Sequence, residues 1–338
     1  DGVESSKLDL SRMTPEDIET FSVMKDASAT AMYGARGANG VILITTKKGQ
    51  EGSVYTSVRY EAVLSMPTRE IEVVDPINYM KMYNQALLAR NPDATPQYSV
   101  ERIERTGSPS YPSWVYPAND WYDIMFHDYS INHRAGLNIR GGSRLVQYYT
   151  SVNYVRDEGM LKTDRLNQFK GNIENSTFSF RTNLNIELSA GIRLNINTSA
   201  NLDKYRGPYA DVSQAYYLAF NASPVDFAPT YPADESSNWP HLRFGAVDQN
   251  TTNPYLILHQ GYKDRSRYSA VARAEYIHNL STLLKGLELR ASVSMNQTGY
   301  YANAYKTVPY MYALKDYDFE TGVHQLNALN SSPAHQGH

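Results

Sequence analysis

Residues 178–202 read FSFRTNLNIELSAGIRLNINTSANL, and their hydrophobic period is two. Phe178, Phe180, Thr182, Leu184, Ile186 and Leu188 fall on one side of an extended chain, with Ser179, Arg181, Asn183, Asn185 and Glu187 on the other. After a tight turn at Ser189-Ala190 the pattern resumes, and Ile192, Leu194, Ile196 and Leu202 oppose Arg193, Asn195, Asn197 and Asn201. Each half is a strand with one greasy and one strongly polar face.

The same period recurs on both sides. Alternation marks seven segments, near 53–65, 130–140, 145–155, 169–187, 191–204, 266–278 and 287–299. In the last, Leu287, Leu289, Ala291, Val293 and Met295 oppose Glu288, Arg290, Ser292, Ser294 and Asn296. Their connections alternate strictly between long and short: residues 66–129, then Gly141-Gly142-Ser143, then 156–168, then Ser189-Ala190, then 205–265, then Asn279 to Gly286. Compact soluble domains favour short connections throughout. Long loops at one end and short turns at the other, joining strands of about ten alternating residues, are the pattern of an outer-membrane barrel. The long segments near 66–129 and 205–265 are rich in Tyr, Trp, Pro, Asn and Asp. The first also carries a predicted helix, opened by Asp75-Pro76 and closed at Asn91-Pro92.

Residues 1–50 have a different grammar. Thr14-Pro15-Glu16-Asp17 reads as a helix start, Phe21 to Lys25 as a short strand and Ser28 to Tyr33 as helix. Gly34, Gly37 and Gly40 punctuate the turn before a β-branched run, Val41 to Thr46, of the fully buried kind. This predicts a small mixed α/β unit ahead of the strands.

Composition excludes several functions. With 20% charged residues and a net charge of −3, there is no electrostatic case for nucleic acid. Without Cys the chain can hold neither a disulfide nor a thiolate-bound metal, and it would cross an oxidising compartment without mispairing. The 28 Tyr against 9 Phe and 3 Trp favour settings where one end of a side chain is greasy and the other wet: a membrane interface, a sugar-binding surface or an exposed sheet. No run approaches the roughly 18 apolar residues of a membrane helix. A membrane crossing would therefore have to be a closed barrel, because lipid satisfies no backbone groups. The chain opens Asp-Gly-Val without initiator Met or signal peptide, so further sequence is expected upstream.

The stretch PEDIETFSVMKDASATAMYGARGANGVILITTKKG, residues 15–49, closely resembles the plug-domain signature of the SusC/RagA-like branch of TonB-dependent receptors. Lys25, Asp26, Ala27, Ser28, Tyr33, Gly34, Arg36, Gly37, Asn39 and Gly40 carry that likeness as structural residues. Asp120-Trp121-Tyr122-Asp123, Asn138 to Ser143 and Tyr148 to Tyr154 are also similar to the family. The resemblance implies a membrane β-barrel of about 22 strands enclosing a plug, in the outer membrane of a Bacteroidota-type Gram-negative bacterium. On that reading residues 1–50 are the C-terminal part of the plug, and 51–338 the first seven or so antiparallel strands of an incomplete barrel. It implies energy-coupled import of oligosaccharides or peptides with a SusD-like lipoprotein over the mouth. The TonB complex would act through a segment absent here, and neither cofactor nor catalysis is needed. Barrel geometry points the same way: a plugged lumen needs about 22 strands, and single-chain bacterial barrels have even counts.

Other motifs give less. Gly34 to Gly40 matches no phosphate-loop pattern and precedes a strand rather than a helix. His127, Asp128 and His133 suit no metal spacing, and the pairs Asp157-Glu158 and Asp234-Glu235 offer too few oxygens for Ca²⁺. Arg181, Arg193, Arg273, Glu275 and Arg290, on polar strand faces, are expected to bridge to plug or wall. The candidate cargo or partner contacts are the loop aromatics Trp114, Tyr116, Trp121, Tyr205, Tyr209, Tyr216, Tyr217 and Trp239. The rival reading is a secreted or surface carbohydrate-binding β-sandwich; a receptor that signals through an N-terminal extension would share the barrel fold. The sandwich buries its apolar faces against a second sheet, whereas a barrel turns them outward.

Overall fold

The computed structural model describes residues 10, 13–25, 34–37, 40–69, 71–163, 169–234 and 241–330. The helix expected over Ser28 to Tyr33 lies outside them. A 3-10 turn at Pro15–Asp17 leads into β1 (Ile18–Met24), which pairs antiparallel with β2 (Val41–Thr46) as a two-stranded ribbon. The expectation of a fully buried β2 is corrected here: Ile42 and Leu43 are exposed and only Thr46 is buried. A two-stranded ribbon resting on a sheet covers one face alone.

The seven segments form one antiparallel sheet: β3 (Gly52–Ser65), β4 (Ser130–Gly142), β5 (Val146–Glu158), β6 (Glu174–Ser189), β7 (Ile192–Pro208), β10 (Gly261–Asn279) and β11 (Glu288–Lys306). Neighbours in space follow the chain, in the order β11-β10-β7-β6-β5-β4-β3. Every long connection leaves from one end of the sheet and every short turn from the other, as the connection lengths required. Several strands outrun the alternating segments. Residues 300–306, outside the seventh segment, continue to pair with β10 down to Lys306 opposite Gly261. They show no apolar alternation because they extend past the apolar part of the sheet.

The register lays the faces out in rows. One row runs Tyr60–Ala135–Tyr154–Phe178–Leu202–Tyr268–Gly299 across all seven strands. From it toward the short turns, no Asp, Glu, Lys or Arg stands on that face of any strand. On β10 this charge-free stretch runs from Tyr268 to His278, about 33 Å of strand at about 3.3 Å per residue. Tilted by about 40°, that spans about 25 Å, the height of the apolar band of an outer-membrane barrel. The face is uncovered: Val58 is 77% exposed and Val293 70%, with Tyr60, Leu64, Tyr154, Phe178, Tyr268 and Met295 exposed too. Thr150 and Thr182, side by side within it, satisfy each other's hydroxyls at 3.0 Å. The opposite, polar face is where burial occurs, with Tyr149, Ser151, Asn153 and Asn183 at or below 8% exposure.

The long connections are folded rather than loose. They carry α1 (Pro76–Arg90), α2 (Val100–Arg105), α3 (Trp121–Met125) and α4 (Val212–Asn221). A second sheet of order β13-β12-β9-β8 is built from β8 (Thr230–Tyr231), β9 (Arg243–Gly245), β12 (Met311–Tyr317) and β13 (His324–Ala328). Asp75 caps α1 by accepting from the N–H groups of Ile77 and Asn78, and the Asn78 bond leads in holding its carboxyl below the usual range. Three apolar clusters join these pieces, the largest around Trp121, Met125, Phe126, Leu161, Phe227 and Ile257.

Candidate functional site: a polar seam and a folded cap

Two features stand out: the seam between the β1–β2 ribbon and the polar face of the large sheet, and the cap made by the long connections. The ribbon enters the seam through its turn. Pro15 at the first position of the 3-10 turn sets Asp17 at its end, 4% exposed. The Tyr149 hydroxyl donates to Asp17 Oδ1 at 2.7 Å, and Arg181 Nε lies 3.7 Å from Asp17 Oδ2. At the ribbon's other end Asn183 Nδ2 donates to Thr46 Oγ1 at 2.8 Å and to the Lys47 carbonyl at 2.7 Å. Asn183 Oδ1 in turn accepts from Asn197 Nδ2 at 2.9 Å. Glu16 pairs with Arg59, and Asn153 Nδ2 reaches Thr14 Oγ1 at 3.4 Å. Beyond the ribbon, a Cβ on Gly49 would come within 2.1 Å of Tyr148 N, so the chain can pass this close only as glycine.

Among the described residues the seam is almost wholly side chain to side chain or to a lone carbonyl, with no strand pairing across it. Such contacts can be exchanged one at a time, whereas a shared sheet would have to be unzipped. The ribbon is therefore a separate piece, held on the wall by a polar lining. Of the arginines expected to bridge, Arg181 reaches the ribbon, Arg273 pairs with Glu275 at 3.2 Å and Arg290 pairs with Glu288.

Within the cap, Asn253 is fully buried and ties three strands of chain together. Its Nδ2 donates to the carbonyls of Pro229 and Gly245 at 2.9 Å each and lies 3.4 Å from that of Ala228, while its Oδ1 accepts from Tyr255 N at 2.9 Å. Asn253→Ala is expected to cost about 2–3 kcal/mol, because several buried backbone groups lose their partner together. Thermal unfolding of the cap, followed by its Trp fluorescence, checks this; an unchanged transition would remove Asn253 as a tie. Arg105 is enclosed by Tyr111, Tyr116 and Phe319, its guanidinium 4.9 to 5.7 Å from their ring centres. Burial pushes the Tyr98 phenol well above its ordinary range, helped by the Asp226 carboxylate to which it donates at 3.1 Å.

The predicted site residues separate accordingly. Trp121 is buried in the cap core at 2% exposure, its Nε1 donating to the Ser223 carbonyl at 2.9 Å. Tyr116 stacks beside Arg105 and accepts from it at 3.1 Å. Trp114 is half-buried against Tyr231, Tyr317 and His324, on the wall of an open cleft of about 480 Å³ lined also by Ser113, Asn119 and Thr230. Tyr205 lies under Arg265, and Tyr209 between Lys263 and Lys306. Tyr216 and Tyr217 stand out on α4, exposed at 43% and 62%. Thus the structure brings Trp114, Tyr116 and Trp121 into the packing of the cap, sets Tyr216 edge-on against Phe220 and Phe126 with its outer side exposed, and leaves Tyr217 open. Trp239 lies outside the described residues, as do Asp26, Ala27, Ser28, Tyr33 and Asn39 of the signature. Gly40 adopts φ +94°, a left-handed turn into β2 that suits glycine.

Asp17, Tyr149 and Asn253 carry the geometry but were not singled out from sequence. Asn253-Pro254 is a turn dipeptide that could have pointed to the last, since Asn side chains feed the backbone two residues on. Asp17 lies in the predicted helix start and Tyr149 in the family-like stretch Tyr148 to Tyr154, but nothing local pairs the two, which stand more than 130 residues apart.

No family model matches the chain. It is 31% identical over 231 residues to the TonB-dependent receptor P26 of Formosa agariphila, covering 68% of this chain and 20% of the relative. It is 26% identical to the TonB-dependent receptor SusC of Bacteroides thetaiotaomicron over 336 residues, 96% of this chain and 31% of SusC. The chain thus spans about a fifth to a third of the length of these relatives. In fold it is similar to the RagAB peptide importer in its open-open state, with a TM-score of 0.64 at 20% identity, over 91% of this chain and 34% of that one. Likeness to several such receptors, an outward apolar face and a shared fold converge: the chain belongs to the TonB-dependent receptors of the bacterial outer membrane and is similar to their SusC/RagA-like members.

Proposed function

We propose that the protein carrying this chain imports nutrients across the outer membrane, with residues 1–50 as plug and 51–338 as barrel wall and cap. The observation that carries this reading is the inversion of the sheet: a charge-free apolar face turned outward and a polar face that holds a separable ribbon. Import then consists of binding cargo at the cap, loosening the seam from the periplasmic side through TonB, and releasing cargo past the wall. No bond is made or broken in the cargo, and no cofactor is used. Tyr205, Tyr209, Tyr216 and Tyr217, with Trp114, Tyr116 and Trp121 as supports, form the surface offered to an oligosaccharide or peptide and to a SusD-like lipoprotein. The neighbour's description as a peptide importer supports the peptide arm of this reading, while the oligosaccharide arm rests on the family resemblance of residues 15–49.

The test is to hold the seam shut. Cysteines placed at Thr46 and Asn183, whose side chains lie 2.8 Å apart, are bridged in the full-length receptor by a short bis-methanethiosulfonate, which forms a reducible disulfide to each thiol and releases a sulfinate from each end. Import of labelled oligosaccharide and peptide is measured in cells before and after reduction. Import should stop on bridging and return on reduction, for the cargo class the receptor carries. Undiminished import with the bridge in place would reject a ribbon that must move.

A further inference from the structure

Just beyond the aromatic row, on the same outward face, the register places Ala62–His133–Arg156–Ser176–Lys204–Ser266–Tyr301. The two rows are separated by two residues of strand, about 6.6 Å. Four neighbours in this row, Ser176, Lys204, Ser266 and Tyr301, present three hydroxyls and one ammonium and no carboxylate. Lys204 is exposed and has no ion-pair partner among the described residues. The carboxylates of the next row outward are engaged by arginine. Arg156 bridges Glu158 and Glu174 at 2.6 and 2.9 Å, and Arg206 forks onto Asp264 with two bonds of 2.7 Å. His133 Nδ1 is occupied by the Tyr60 hydroxyl at 2.8 Å. Among the described residues the unpaired cation and hydroxyls thus sit together at one height, directly above rings that stand where an aromatic girdle meets lipid headgroups.

We infer that Lys204, with Ser176, Ser266 and Tyr301, forms an anchoring site for the phosphate of an anionic lipid in the outer leaflet. An ammonium is a compact point charge suited to a phosphate oxygen, and the flanking hydroxyls donate to the others. Phe178, Leu202 and Tyr268 below receive the acyl chains, which a free phosphate cannot use. The site goes beyond import and rests on the outward face meeting lipid with the long connections on the extracellular side. Failure of the site would leave the bridged-seam result untouched, and the reverse also holds.

The full-length receptor, its Lys204→Gln and Lys204→Arg variants and a Lys315→Gln control in the cap are extracted in mild detergent, and anionic lipid retained per receptor is counted by native mass spectrometry. A basic residue near a charged lipid surface contributes enough for about a fivefold change in occupancy. Lys204→Gln should therefore lose about fivefold of the retained lipid, with Lys204→Arg and Lys315→Gln near wild type. Equal retention in Lys204→Gln overturns the site. Displacement of the lipid by inorganic phosphate at equal phosphate concentration would also overturn it, because the contacts would then be those of a free-anion site.

Discussion

Ala272→Arg, a charge placed at mid-height on the outward face of a strand paired on both sides, should destabilise the receptor by about 2–4 kcal/mol in a bilayer. Ala272 is exposed, flanked by Thr198 on β7 and Met295 on β11. Its row sits two steps below the Tyr268 row and three above the end of the strand, near the middle of the charge-free stretch. If that face met water, the same change would fall within about ±0.5 kcal/mol, as surface substitutions do. The two environments therefore predict clearly different outcomes from one mutation. An Arg at Asn296, one residue from the Met295 partner and on the exposed polar face opposite Val271, controls for strand propensity and bulk. Folding titrations of the full-length receptor into lipid vesicles measure both. Equal, small effects at Ala272 and Asn296 would take the outward face out of the lipid.

This test bears directly on the rival β-sandwich, which is overturned by where burial falls. A sandwich core would cover Val58, Phe178, Val293 and Met295, yet these are the exposed residues, while Tyr149, Ser151 and Asn183 of the other face are buried. Sequence made the wall legible because each strand repeats the same two-residue code and the connections alternate in length. It also gave the α1 cap at Asp75, a purely local feature. The cap as a folded body was not legible. Arg105 and Tyr98 reach Phe319 and Asp226 on other connections, Asn253 ties carbonyls up to 25 residues back in its own, and β8, β9, β12 and β13 are too short to establish a period of their own. The site aromatics show the same limit: nothing in the composition of 205–265 or 66–129 separates Trp121, which packs, from Tyr217, which stands clear. Alternation stopped short of the true strand ends for a related reason, since beyond the lipid both faces of β10 and β11 turn polar or aromatic.

The second large effect lies in the seam, where Arg181→Met should loosen the ribbon by about 3 kcal/mol. Breaking one partner of a buried ion pair typically costs about 3–5 kcal/mol, because the remaining charge stays out of water without its counter-ion. The side chains of Asp17 and Arg181 are 5% and 14% exposed, so neither can recover its hydration without moving. The lower end of the range applies here. The pair is long at 3.7 Å, and Asp17 keeps the Tyr149 hydroxyl at 2.7 Å when the arginine is gone. Asp17→Asn combined with Arg181→Met removes both charges and should recover most of the loss, which separates a charge effect from lost packing. Tyr149→Phe alone, deleting one hydrogen bond to a charged group, should cost about 1.5–3 kcal/mol. The readout is hydrogen exchange of the β1 amides, Ile18 to Met24, in the full-length receptor. At 3 kcal/mol their local opening becomes about two powers of ten more frequent, whereas amides of β6 and β7 keep their protection because the wall does not depend on the ribbon. If β1 exchanges no faster in Arg181→Met, or if the double variant is as loose as the single, then the ion pair is not what holds the ribbon to the wall. The amide ties of Asn183 to Thr46 and Lys47 would be left as its anchor.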